Sequence, residues 1–205
     1  MFLGIWIQSN MTWSEHVDYV KSRLSRVTFL LRNLINYVTP HYIRCAYFSF
    51  FQSIIRYGLI FWGNCSRITE ILVLQKKVIR ILSKANWLEH CKPLYIKLRI
   101  LTVTNLYIFD VLMYTLNNFN EYSLISDTHA YNTRNNQNIQ IPNVRLKKTQ
   151  ISYKVLGMKI YNKLPKKYYM LPEDVFKERF YKWLLNHPFY SVDEFLTIPI
   201  SNIIM

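Results

Sequence analysis

The side chains that could do chemistry in this chain are its carboxylates, one histidine–cysteine pair and its many cations, and only the cations are arranged for a task. A nucleotidyl-transfer centre needs two or three carboxylates converging on two divalent ions, which clamp the attacking and leaving oxygens of the transferred phosphoryl group. The sequence has no Asp-Asp pair; its adjacent acids are Glu173-Asp174 and Asp193-Glu194. Glu173-Asp174 falls in the first turn of an expected helix, where negative charge offsets the helix dipole, so it reads as a cap rather than a metal site. His90-Cys91 has no second Cys/His pair at ligand spacing, and His16, His41, His129 and His187 are scattered. Cys91 therefore reads as a packed residue at a helix start. With 4 glycines, the chain carries no Walker-type loop, nucleophile elbow or dinucleotide fingerprint. No catalytic residue, no metal ligand, no cofactor and no small-molecule substrate is predicted.

The cations are another matter. The formal charge is +14, and residues 1–100 hold 14 Lys/Arg against 4 Asp/Glu, so the first half in particular should attract a polyanion such as nucleic acid or an anionic membrane surface. On helical spacing, Lys21, Arg26 and Arg32 fall away from an apolar stripe with Arg23 on its flank. Further on, Lys76, Lys77, Arg80 and Lys84 gather on one side of a second helix. These eight are the candidate nucleic-acid-binding residues. The interleaved stretches Lys166-Lys167-Tyr168-Tyr169 and Lys177 to Trp183 could stack bases, but aromatic residues at helical spacing read first as packing.

The elements that would position these groups are mainly helical. Ser14 is a candidate cap for a long amphipathic helix through Val17, Val20, Leu24, Val27, Leu31 and Leu34. Thr39-Pro40 opens a second helix, expected to be nearly all buried, which Tyr57-Gly58 closes. A third helix is predicted from about Thr69, a short fourth from Pro93, a fifth over Val103 to Leu116, and two more over Ile151 to Leu164 and from Pro172 to just before Pro188. The asparagine-rich stretch between residues 118 and 143 reads as a polar linker. Ahead of all this, Phe2 to Ile7 reads as a short apolar strand with no ladder partner, an orphan whose mate is expected upstream. The expected division is thus 1–13, 14–117, 118–143 and 144–205: an orphaned strand, a helical bundle, a linker and a small C-terminal helical region. Three cysteines without a Cys-x-x-Cys spacing, and no signal-peptide pattern, predict an intracellular (nuclear or cytoplasmic) protein. Gln52 and Arg56 interrupt the most apolar stretch, Cys45 to Trp62, which makes it a core helix and not a transmembrane segment.

Several of these residues together resemble the thumb and C-terminal region of a non-LTR retrotransposon reverse transcriptase of the LINE-like, jockey type. Phe2-Leu3-Gly4-Ile5 with Met11-Thr12-Trp13-Ser14-Glu15-His16 is similar to the segment that leads from the palm into the thumb. Tyr57-Gly58, Phe61-Trp62-Gly63, Gln75-Lys76-Lys77-Val78-Ile79-Arg80, Cys91-Lys92-Pro93-Leu94-Tyr95, Leu101-Thr102 and Leu106-Tyr107-Ile108 resemble the thumb series in order and spacing. His129-x-Tyr-x-Thr133-Arg134 and Tyr161-Asn162-x-Leu164-Pro165 are similar to the region that follows it. The resemblance implies a thumb-like bundle that grips a primer-template RNA/DNA duplex through the basic residues above, by shape and charge rather than by sequence. It also implies a primer-grip-like role for Phe2, Leu3, Gly4 and Trp13, in a hairpin that steadies the primer end. The fingers, the palm and its Asp-Asp pair have no counterpart in the sequence. Hence the resemblance implies a catalytically incomplete remnant of an RNA-directed DNA polymerase, with Mg2+ expected only in the full-length parent and the missing fingers–palm portion as a possible partner. The competing reading is a stand-alone basic helical scaffold that binds RNA or an anionic membrane surface.

Overall fold

Residues 1–128, 135–168, 171–199 and 203 are described by a computed structural model, and they are mainly helical. The apolar steps after Ser14 form α1 (Ser14–Leu34), which buries Val17, Val20, Leu24 and Leu31. Its cap is Trp13, held in the left-handed region at φ 62°, one residue before the serine expected to do this. The second helix begins as α2 (Pro40–Ala46), with proline in the first turn, where its missing N–H forfeits no bond. It widens into a π-helical turn over Tyr47–Gln52 and regains α geometry in α3 (Ser53–Arg56).

That segment is not buried all round. Ile43, Tyr47, Phe51 and Ile55 are in the core, whereas Tyr42 and Phe50 stand 65% and 51% exposed. Residues four apart drift by about 40° per step around a helix of 3.6 residues per turn. The wider π turn takes up this drift and keeps all four side chains on one face.

Gly58, at φ 63°, turns the chain into α4 (Leu59–Trp62). There follow α5 (Ile68–Ser83), α6 (Cys91–Leu98) and α7 (Val103–Asn117). Every residue of α7 from Val103 to Phe109 is buried, as befits an apolar helix at the centre of a bundle. α1 lies along α5, and because Asp18 meets Arg67 while Lys21 meets Glu70, the two helices run parallel.

The stretch expected as a linker is tied into the fold. It contains α8 (Ile125–Thr128) and an isolated antiparallel bridge between Leu124 and Ile139. The Asn162 side chain imitates a strand partner for Ile139: its Oδ1 accepts from the Ile139 N–H and its Nδ2 donates to the Ile139 carbonyl, both at 2.8 Å. The family-like His129-x-Tyr-x-Thr133-Arg134 and Tyr169 lie outside the described residues. Beyond the bridge come α9 (Lys147–Gln150), α10 (Tyr153–Lys163), α11 (Glu173–Asn186) and a further short helix, α12 (Val192–Thr197), which the sequence did not suggest. Gly157 lets α10 close on α7, since a Cβ there would lie 2.0 Å from Thr115 Oγ1. Phe176, Phe180 and Trp183 of α11 stack in series and Phe180 continues onto Phe109, so the C-terminal helices and the bundle share one core.

The orphaned strand over Phe2 to Ile7 is not formed. Phe2 and Ile5 instead exchange two backbone hydrogen bonds of 2.8 Å across Leu3 (φ 44°) and Gly4 (φ 79°), a tight two-residue turn that satisfies its own groups. Positive φ at both central positions is the requirement of the hairpin turn whose twist matches paired strands. Among the described residues no helix is long and apolar enough to cross a membrane.

Candidate nucleic-acid interface

The parallel packing of α1 and α5 engages the first of the eight expected cations. At the N-terminal end of the pair, Arg67 forms a two-pronged salt bridge to Asp18 (2.6 and 2.9 Å) and also bonds Glu70, while Lys21 pairs with Glu70. Hydrogen bonds from Arg67 and then Lys21 hold the Glu70 carboxyl down to about 2, and the Arg67 contact lowers Asp18 as well. Lys21 is therefore engaged by Glu70, at a half-buried position.

The second cluster is divided in the same way. The Lys76 ammonium sits 3.5 Å above the Tyr190 ring, and burial lowers its pKa. Arg80 turns back to donate to the Glu89 carbonyl at 3.0 Å, which fixes the loop between α5 and α6. Lys77 and Lys84 remain exposed, as do Arg26 and Arg32 on α1, and among the described residues none of these four has a carboxylate partner. Arg23 is also exposed, with its guanidinium 5.7 Å from the Tyr19 ring centroid. Of the eight expected cations, five are thus exposed and three, Lys21, Lys76 and Arg80, are half-buried and engaged within the chain.

Of the residues expected to be primer-grip-like, Leu3 and Gly4 rest on Tyr57 while Trp13 stands against His16. The Tyr57 hydroxyl donates to the Leu3 carbonyl, and a Cβ on Gly58 would lie 2.7 Å from Ile5 Cδ1, so Tyr57-Gly58 is the seat on which the Leu3-Gly4 turn rests. Phe2 and Leu3 themselves point outward, 67% and 73% exposed. Behind the turn, the buried His16 accepts from the Trp6 N–H at Nδ1 (3.4 Å) and stands edge-on to both Trp13 and Trp62. Burial lowers the His16 pKa, which favours the neutral ring. Trp62 donates from Nε1 to the Tyr57 carbonyl (3.1 Å), and Gly63 leaves room for Tyr107, whose Cδ2 would lie 2.3 Å from an added Cβ.

A polar hub that helical periodicity alone does not single out holds these helices in place. Gln75, fully buried in α5, donates from Nε2 to the Tyr47 hydroxyl and the Leu101 carbonyl (2.9 Å each), and its Oε1 accepts from the Val103 N–H (2.8 Å) and the Tyr95 hydroxyl (3.2 Å). Asn105 does the same for the C-terminal region, bonding the carbonyls of Leu184 and His187 and the N–H of Phe189. The signal for both was present, since each is an amide on the apolar side of its helix, where an unpaired polar group is costly.

Among the described residues no group of three His, Cys, Asp or Glu side chains is placed to hold a metal ion, and the carboxylates of Asp18 and Glu70 are engaged by Arg67 and Lys21. Glu173 and Asp174 do occupy the first turn of α11, and Cys91 is buried at the start of α6. Comparison with protein-family models, with curated proteins and with solved structures found no match to this chain.

Proposed function

We propose that this chain corresponds to the thumb and C-terminal region of an RNA-directed DNA polymerase of the non-LTR retrotransposon type, and that it binds RNA/DNA primer-template duplexes by neutralising their phosphates. The observation that carries this reading is the interlocking of the residues on which the resemblance rests. Leu3-Gly4, Trp13, His16, Tyr57-Gly58, Trp62-Gly63 and Tyr107 are spread over more than half the chain, and they meet as neighbours in one cluster. The Leu3-Gly4 turn also has the geometry a hairpin tip needs, in keeping with a primer-grip-like element. Arg23, Arg26 and Arg32 on α1, Lys77 on α5 and Lys84 just past its end are exposed and supply the charge for a backbone grip.

The test is fluorescence anisotropy of the purified chain with a labelled RNA–DNA hybrid over a series of salt concentrations. Replacing Arg26, Arg32, Lys77 and Lys84 together by glutamine should weaken binding and flatten the dependence of log K on log salt by about 0.9 for each phosphate no longer neutralised. Unchanged affinity in the quadruple variant, or a preference for anionic vesicles over the hybrid, would reject the duplex reading.

A further inference from the structure

At the opposite end of the parallel α1/α5 pair from the Asp18–Arg67 cluster, the chain gathers cations without acids. A cleft of about 230 Å³ opens there between the start of α2, the last turn of α5 and the end of α6, with Arg44, Lys97 and Arg99 among its lining residues and no carboxylate. The sequence reason is plain: no Asp or Glu lies between Asp18 and Glu70, between Glu70 and Glu89, or between Glu89 and Asp110. Arg44 is held in place, its Nε donating to the Leu98 carbonyl (3.0 Å) and one Nη to the Arg99 carbonyl (3.3 Å), with its guanidinium 4.7 Å from the Phe48 ring centroid. These bonds cap the C-terminus of α6 and leave the remaining guanidinium N–H groups for a ligand. Arg99 is set by its own left-handed backbone, φ 52°.

We infer that this cleft seats a backbone phosphate of a single-stranded nucleic-acid segment, at a site separate from the α1 and α5 faces proposed to hold duplex. Three cations around one concavity match a phosphate diester, and a fixed arginine presents its donors without having to be ordered first. The cleft is too small for the paired backbones of a duplex but large enough for a phosphate and its sugar. Pro40, on its rim, is flanked in sequence by Tyr37 and Tyr42, which are 85% and 65% exposed. Neither ring lines the cleft itself, and both are free to meet the bases of a strand whose phosphate it holds, since exposed aromatic rings stack unpaired bases without reading their sequence. This site rests on the nucleic-acid reading above and adds to it a strand that the duplex faces do not account for.

The experiment compares the full chain with a Lys97→Gln/Arg99→Gln variant, which leaves the Arg44 cap intact. Two labelled probes are used: a blunt RNA–DNA hybrid, and the same hybrid carrying an unpaired extension. The wild-type chain should bind the extended probe more tightly. The double variant should lose that advantage, with a salt slope lower by about 0.7 per phosphate left unneutralised, while retaining its affinity for the blunt hybrid. Equal losses on both probes, or no loss on either, would overturn the inference. So would a variant whose defect lies in binding phosphatidylserine vesicles and not nucleic acid. If the wild-type chain ignores the blunt hybrid yet binds a free single strand in a Lys97/Arg99-dependent way, the duplex proposal fails and this one stands.

Discussion

Replacing Gln75 by leucine removes a hub without opening a large cavity, because the two side chains are similar in volume. Four groups are then left unpaired at once: the Tyr47 hydroxyl, the Leu101 carbonyl, the Val103 N–H and the Tyr95 hydroxyl, in a region with no exposure to water. A buried polar group left unpaired costs roughly 1–3 kcal/mol, so even the low figure for each of the four gives about 4 kcal/mol. A domain of this kind has a total stability of about 5–15 kcal/mol, which makes the loss a large share of the whole. Tyr47→Phe is the internal control, since it takes away one of the four bonds and should cost about 1 kcal/mol. The assay is urea unfolding followed by far-UV circular dichroism, with the slope against denaturant checked for constancy so that the midpoint shift reports stability. A Gln75→Leu chain within about 1 kcal/mol of wild type, or a Tyr47→Phe chain as damaged as it, would refute the claim that this amide organises the bundle.

Gly63→Ala should be more disruptive than Gly58→Ala, because its Cβ would meet the buried Tyr107 ring and the Leu59 carbonyl (2.3 and 2.7 Å), costing about 1–3 kcal/mol or more in the same unfolding assay. Gly58→Ala forces a left-handed alanine at a cost of about 1–2 kcal/mol and pushes on Ile5; limited proteolysis should show the first ten residues cut faster than in wild type. Glu70 has a depressed pKa in the folded chain, so its contribution is present above its ordinary value of 4.5 and is lost as pH falls toward about 2. Unfolding midpoints taken across that window should fall less steeply with acid in Glu70→Gln than in wild type. Asn105→Ala strips three backbone groups of their partner and should raise hydrogen exchange selectively at Phe189 and its neighbours, with α1 and α5 unaffected.

What the sequence determined by itself was the placement of the longer helices and the core faces of α1, α5 and α11, but not α8, α12 or the exposed side of the segment from Pro40 to Arg56. Apolar residues at three- and four-residue steps in α1, α5 and α11, the prolines at the starts of α2 and α11, and Gly58 after α3 act through local backbone geometry, and local geometry is written in local sequence. The acids at the start of α11 and the packing of Cys91 belong to the same class. What only the tertiary structure decided was which polar groups are engaged. Lys21, Lys76 and Arg80 look like Arg26, Lys77 and Lys84 on a helical wheel, but Glu70, Tyr190 and the Glu89 carbonyl claim the first three, and of these Glu70 and Tyr190 are brought in by the fold from distant parts of the chain. The run from Phe2 to Ile7 has the composition of a strand, yet Tyr57 and Gly58 hold it as a turn from 54 residues away. The cleft at Arg44, Lys97 and Arg99 is likewise a meeting of three helix ends with no sequence neighbourhood of its own. Charge and hydrogen bonding act through space over a few ångströms, and the chain order of the partners carries no record of that distance.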